Sequence, residues 1–129
     1  MTSRSVPFEI PDINYGLVEV KGLLHFKNDK LILEFDQKDS FGGMTKSDVK
    51  AVEVPFSMVD SMKLHKKWFS TQIEILGKSM KIFEDVPGSN QGRILLKVKR
   101  KDRSHAESVI SSARVRLSEY KLDELESED

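Results

Sequence analysis

From Val18 the chain alternates, with Val18, Val20, Gly22, Leu24 and Phe26 on one side of an extended segment and Glu19, Lys21, His25 and Lys27 on the other. A period of two is that of a half-buried strand. Asn28 and Asp29, which tolerate positive φ, separate this run from a second one whose inward residues are Leu31, Leu33 and Phe35, and this predicts a hairpin. Residues 38–48 are polar and hold Gly42-Gly43, the composition of a loop. The run Val49, Ala51, Val52, Val54 ends at Pro55, which predicts a strand, a bend or short helical turn, and a further strand from about Ser61 to Lys66. Trp68 to Leu76 reads as the next strand, with Phe69, Thr71, Ile73 and Ile75 on one face and Trp68 on the other. Gly77-Lys78 then predicts a tight turn into a strand from Met80 to Phe83, a loop covers Val86 to Gly92, and Ile94, Leu96 and Val98 mark the last strand.

The period changes after Val98. Ala106, Val109, Ile110, Ala113, Leu117 and Tyr120 recur at steps of three and four, which predicts a helix from Asp102 to about Tyr120 with one apolar stripe. Ser104 and Glu107 have the spacing of a capping box. Ahead of all this, Pro7 and Pro11 are interleaved with Phe8, Ile10, Ile13 and Tyr15, an extended lead-in able to serve as an edge strand. About seven strands at hairpin spacing, then one helix and no βαβ alternation, predict a mainly β protein whose antiparallel sheet or barrel is covered by its C-terminal amphipathic helix. A chain of 129 residues is the length of one domain. Its expected divisions are a lead-in at 1–16, the β-rich domain at 17–120 and an acidic tail at 121–129.

Composition narrows the chemistry. The absence of cysteine removes disulfides, thiolate metal sites and cysteine nucleophiles. No apolar run reaches the roughly 18 residues of a membrane-spanning helix, and Met1 to Pro11 lacks the apolar core of a signal peptide, so the expected location is cytoplasmic. His25, His65 and His105 each stand alone, without the i, i+4 partner or carboxylate cluster that metal ligation calls for. No nucleophile elbow and no phosphate-binding glycine loop is present, so neither catalysis nor a cofactor is expected.

Charge adds one feature. Residues 1–59 carry seven Lys/Arg and nine Asp/Glu, residues 60–116 thirteen and six, and residues 117–129 one and six, so a basic second half precedes an acidic end. Arg93, Lys97, Lys99, Arg100, Lys101 and Arg103 form the densest cationic cluster, with Lys63, Lys66 and Lys67 as candidates to lie near it in the fold. Such a cluster attracts phosphates, as an anionic membrane surface or as nucleic acid. Without interleaved aromatics for base stacking, nucleic acid is disfavoured. Leu17, Leu23, Ile32, Trp68 and Leu95 fall opposite the assumed core faces; they read either as an outer apolar patch for a protein partner or a second copy, or as core where bends exchange inside and outside.

The cadence Val52-Glu53-Val54-Pro55-Phe56-Ser57-Met58-Val59-Asp60-Ser61-Met62, followed by the Trp68-Phe69 to Ile75-Leu76-Gly77 strand, Met80 to Phe83, the Ile94 to Val98 strand and the helix, resembles the pleckstrin-homology-like superfamily. The closest flavour is the bacterial PH-like and GRAM-like domains, and the resemblance spans about residues 17–120. It implies a PH-like barrel of two orthogonal sheets capped at one corner by the helix, in a superfamily with lipid-binding, protein-binding and structural members. Phosphoinositide-binding members carry a basic-x-Arg pattern opening the second strand. Here Ile32 stands where that Arg would be expected, so phosphoinositide recognition is not implied.

Three functional expectations follow. The first is a non-catalytic interaction module for a protein partner or for self-association. The second is peripheral binding to anionic membrane lipid through Lys97, Lys99, Arg100, Lys101 and Arg103. The third is a carrier of a small apolar ligand.

Overall fold

The computed structural model of the chain describes residues 5–13, 18–41 and 44–127. Its strands are β1 (Val6–Ile13), β2 (Val18–Lys27), β3 (Lys30–Phe41), β4 (Met44–Pro55), β5 (Val59–Lys66), β6 (Ser70–Gly77) and β7 (Arg93–Lys99), followed by the helix α1 (Arg103–Ser127). Single 3-10 turns at Phe56–Met58 and Arg100–Asp102 join β4 to β5 and β7 to α1. All strand pairs are antiparallel and the order is β4-β3-β2-β1-β7-β6-β5, a seven-stranded sheet left open between β4 and β5.

The lead-in is not an edge strand. β1 lies at the centre, paired with β2 over Val6↔Leu24 to Ile10↔Val20 and with β7 at Glu9↔Lys97. Pro7 and Pro11 stand two residues either side of Glu9, where the next amides facing β7 would be needed, and proline has none. The prolines therefore do not exclude β1 from the sheet; they confine its ladder with β7 to one residue pair.

The predicted hairpin at Asn28-Asp29 is present, both residues having positive φ (51° and 59°), as a two-residue hairpin connection requires. Two predicted elements differ. Residues 38–48 are not a loop for most of their length: β3 and β4 run in register from Lys30↔Pro55 to Phe41↔Met44, and Gly42-Gly43 lies outside the described residues. A ladder held by backbone hydrogen bonds needs no apolar alternation, so a polar ribbon carries no periodic signal. Conversely, Met80 to Phe83 is not a strand but consecutive turns, with Ile82 N donating to Ser79 O, Glu84 N to Lys81 O and Val86 N to Phe83 O. Phe83 takes a φ of 70° and is buried with Val86, so its apolar character anchors a loop instead of extending a sheet. The count of seven strands is as expected from sequence, with β1 in the place of the segment at 80–83.

The core lies on the face that α1 covers. Leu24, Leu31, Leu33, Phe35, Ile73, Ile75, Ile94 and Leu96 point into it from the strands, and Phe56 enters from the 3-10 turn. Gly22 occupies the inward row of β2 between Phe8 and Phe35, its register partners on the two sides; a Cβ there would overlap the Glu34 carbonyl oxygen. The two neighbouring strands approach too closely for any side chain, so glycine is a packing requirement at this site.

Helix α1 buries Ala106, Ile110, Ala113 and Leu117 and packs Val109 and Tyr120 against the same core, which is the predicted stripe. It rests on β5, β1, β7 and the turn at Phe56. Tyr120 meets the Phe56 ring edge to face at 6.2 Å, and the Arg116 guanidinium lies 5.9 Å over the same ring. The helix starts at Arg103, which puts Ser104 within its first turn rather than at its cap, and Glu107 pairs with Lys66 instead of closing a capping box. It also continues past Tyr120 through the acidic segment to Ser127.

Candidate functional site

The β5–β6 hairpin ends in a tight connection. Lys66 pairs with Thr71, Lys67 N donates to Ser70 O at 2.8 Å, and Trp68 and Phe69 occupy the tip. The strand therefore begins at Ser70, not Trp68, and Phe69 does not join the inward row of Thr71, Ile73 and Ile75. Both rings project into solvent, Trp68 79% and Phe69 81% exposed, with centroids 6.3 Å apart and planes at 81°. Two large aromatics side by side at a turn, in edge-to-face contact with each other and otherwise mostly in water, are costly to leave exposed and are a feature of surfaces that insert or dock.

The hairpin, the end of β7 and the 3-10 turn after it all carry cations at this end of the sheet. β7 brings Lys99 opposite Ser70, the 3-10 turn carries Arg100 and Lys101, and the hairpin supplies Lys66 and Lys67. Their roles divide. Arg103 is a brace: its Nε donates to Thr71 Oγ1 at 2.7 Å and its Nη2 to the Lys67 carbonyl at 2.6 Å. Lys66 is paired with Glu107, and Lys99 with Glu9 at 3.5 Å. Lys67, Arg100 and Lys101 are exposed, and their charged groups have no ion pair among the described residues. Of the five-residue cluster expected from sequence, Arg100 and Lys101 are thus open to a ligand, Arg103 is structural, and Lys97 is half-buried beside Glu9. Lys97, Lys99, Lys101 and Lys21 border an open groove of about 230 Å³ together with Glu9 and Asp102. The two carboxylates offset part of its positive potential.

The apolar residues expected to form an outer patch do not come together. Leu17 lies outside the described residues. Leu23 is exposed on β2, whereas Ile32, directly opposite His25 on one side and Glu53 on the other, is only 8% exposed; the outward position on β3 is covered rather than free. Leu95 is half-buried on β7 in register with Glu74, and Trp68 stands apart at the hairpin tip.

The three histidines have separate partners: His25 with Glu34 at 3.0 Å, His65 with Glu74 at 3.2 Å, and His105 with the Ser5 carbonyl at 2.8 Å. Glu74 also accepts from Arg93 Nε at 2.5 Å, and the hydrogen bonds from Arg93 and then His65 hold its carboxyl below the ordinary carboxylate range. Among the described residues no group of three or more His, Asp or Glu side chains could hold a metal ion. No helix among them is long and apolar enough to cross a membrane.

Sequence reasoning missed Phe69 by extending the alternation of β6 two residues too far. The signal was available: Lys66-Lys67-Trp68-Phe69 places two cations and two aromatics consecutively, where a strand with one wet face would separate them.

Fold and site together define a mainly β protein with one closing helix and an exposed aromatic hairpin tip that adjoins Lys66 and Lys67. Compared with known proteins, the chain matches no family model, no curated protein and no solved structure.

Proposed function

We propose that the chain is a non-catalytic PH-like interaction module that docks on anionic membrane surfaces through its β5–β6 end. The observation that carries this reading is the exposed Trp68–Phe69 pair at the hairpin tip next to Lys67, at the end of the sheet where β7 runs on into Arg100 and Lys101, three cations without an ion pair among the described residues. Aromatic rings favour the headgroup boundary, and each cation near an anionic leaflet contributes about 1 kcal/mol that decays within a Debye length. Three such cations, with burial of one Phe-sized ring worth about 1.5–3 kcal/mol when complete, sum to roughly 5 kcal/mol. That is a reversible attachment, weakened by salt, and it suits a peripheral protein at the cytoplasmic face of a membrane. The PH-like reading draws support from the seven antiparallel strands, the bend at Pro55 and Phe56, and the C-terminal helix packed over the end of the sheet at β5.

Trp68 is the only tryptophan, so its fluorescence reports the hairpin tip alone. With phosphatidylserine-containing vesicles at low salt, co-sedimentation and a blue shift of Trp68 emission are expected, and both should fall away with added salt or with neutral vesicles. Absence of co-sedimentation at low salt overturns the reading. Binding that leaves Trp68 emission unchanged removes the hairpin from it.

A further inference from the structure

Helix α1 is longer than its task at the sheet requires. Its buried stripe ends at Leu117, apart from the ring of Tyr120, yet the helix runs on to Ser127. On the opposite side lies a second row, Ser108, Ser111, Val115, Ser118, Leu122 and Leu125, at alternating steps of three and four. This is the spacing of a coiled-coil seam, with Val115 and Leu122 at one core position and Ser118 and Leu125 at the other. Val115, Leu122 and Leu125 are between 58% and 64% exposed, the only large apolar residues of α1 in that state. Around the middle of the row Ser111, Val115, Ser118 and Leu122, flanked by Arg114 and Glu119, border a groove of about 420 Å³.

The charges flanking the row select an occupant. One flank carries Arg114 and Lys121, the other Glu119 and Glu126. In a parallel two-stranded coil, the residue before each Val115-type position faces the residue five places further along the partner helix. For two copies of this chain that sets Arg114 against the partner's Glu119 and Lys121 against the partner's Glu126, all opposite in sign. An antiparallel pair would set each flank against its own kind, cation against cation and carboxylate against carboxylate. The serines let the helices approach closely, and the exposed apolar side chains lose their contact with water. Lys121 is held at the margin of the seam, since its Nζ donates to the Asp60 carbonyl at 2.5 Å, so the Arg114 pair is the stronger discriminator.

We propose that two copies of the chain associate through the outward faces of α1 as a parallel pair, with Val115, Leu122 and Leu125 in the seam and Arg114 facing the partner's Glu119. The arrangement bears on membrane docking but does not depend on it. Arg103 and Glu107 tie the hairpin to the N-terminal end of α1, so a parallel pair turns both Trp68–Phe69 tips the same way. Two weak attachments on one side of a dimer reinforce each other through effective concentration.

The test is the solution mass of the full chain without lipid, by sedimentation equilibrium across a concentration series. The mass should rise from 14.7 kDa toward twice that value. Arg114→Glu puts carboxylate against carboxylate at two symmetric contacts and should weaken association roughly ten-fold. Glu119→Arg should do the same, and the charge-swapped double variant Arg114→Glu/Glu119→Arg should restore it. All four residues of the two contacts are exposed, so circular dichroism should be unchanged throughout. A wild-type mass that stays at 14.7 kDa overturns the proposal, as does stronger association of Arg114→Glu, the mark of an antiparallel pair. Failure of the double variant to recover also overturns it. Because no vesicle is present, none of these results bears on whether the hairpin tip binds lipid.

Discussion

Arg103, in the first turn of α1, donates its Nε to the hydroxyl of Thr71 at the root of the β5–β6 hairpin, 2.7 Å away. Thr71 is the one fully buried polar side chain among the described residues. The same guanidinium reaches the Lys67 carbonyl, so a single side chain joins the start of the helix to β6 and to the hairpin turn just beside the aromatic tip. Orientation of the tip is thereby coupled to the packing of the helix.

Arg103→Ala leaves the Thr71 hydroxyl without a partner in an apolar site, at a cost of about 1–3 kcal/mol. Thr71→Val should cost less, about 0.5–1.5 kcal/mol, because a half-buried guanidinium recovers hydrogen bonds from water. Urea denaturation of both variants checks the order. Arg103→Ala should also weaken vesicle binding, through loss of the tip's fixed position.

Replacing Lys67, Arg100 and Lys101 with glutamine should weaken binding to anionic vesicles by about 3 kcal/mol at low salt, a little over a hundred-fold. It should also flatten the salt dependence, since the lost contribution is the screened one. Urea-derived stability should move by no more than about 0.5 kcal/mol, as expected for exposed positions without an ion pair among the described residues. The double variant Trp68→Ser/Phe69→Ser should weaken binding by about 1.5–3 kcal/mol, ten- to a hundred-fold, while keeping the salt dependence and leaving stability equally untouched, and co-sedimentation across salt separates the two effects.

Glu74 gives the protein an acid limb. Its carboxylate, with Arg93 and His65 donating to it, has a folded-state pKa below its ordinary value of 4.5. Its contribution to stability is thus complete above that value and is lost as pH falls through the depressed folded one. Glu74→Gln should lower stability at neutral pH and show a shallower decline below about pH 4.5, seen in urea midpoints measured across pH.

Gly22→Ala should be among the most damaging single changes in the chain. The added methyl would overlap the Glu34 carbonyl oxygen and crowd the ring of Phe8, 2.8 Å away. Overpacking of this kind costs about 1–3 kcal/mol or more. A fall in the thermal midpoint of several degrees is expected, and combining the change with Phe8→Leu should recover part of it.

Much of the architecture was legible in the chain. The inward rows of β2, β3, β6 and β7 follow a period of two, the Asn28-Asp29 turn has the required chemistry, and the stripe of α1 follows a period of three and four. These features lie where one face of an element is buried, and burial writes itself into the order of apolar residues. The candidate site was legible only in outline. Sequence located its cations, yet whether a given cation is free depends on which carboxylate the fold brings to it: Glu107 to Lys66, Glu9 to Lys99. It also assigned Phe69 to the core, because alternation has no mark for the residue at which a strand stops.

By itself, then, the sequence determined most of the elements that bury an apolar face and the two faces of α1; the strand count agrees only because β1 takes the place of the segment at 80–83. Tertiary structure alone decided that β1 lies at the centre of the sheet, that Met80 to Phe83 turns instead of pairing, and that Trp68 and Phe69 share one exposed tip beside Lys67, with the end of β7 at Lys99 opposite Ser70. The physical reason is that local order encodes which side of a segment is dry, whereas strand neighbours, ion-pair partners and the company of an exposed ring are set by contacts between residues far apart in the chain.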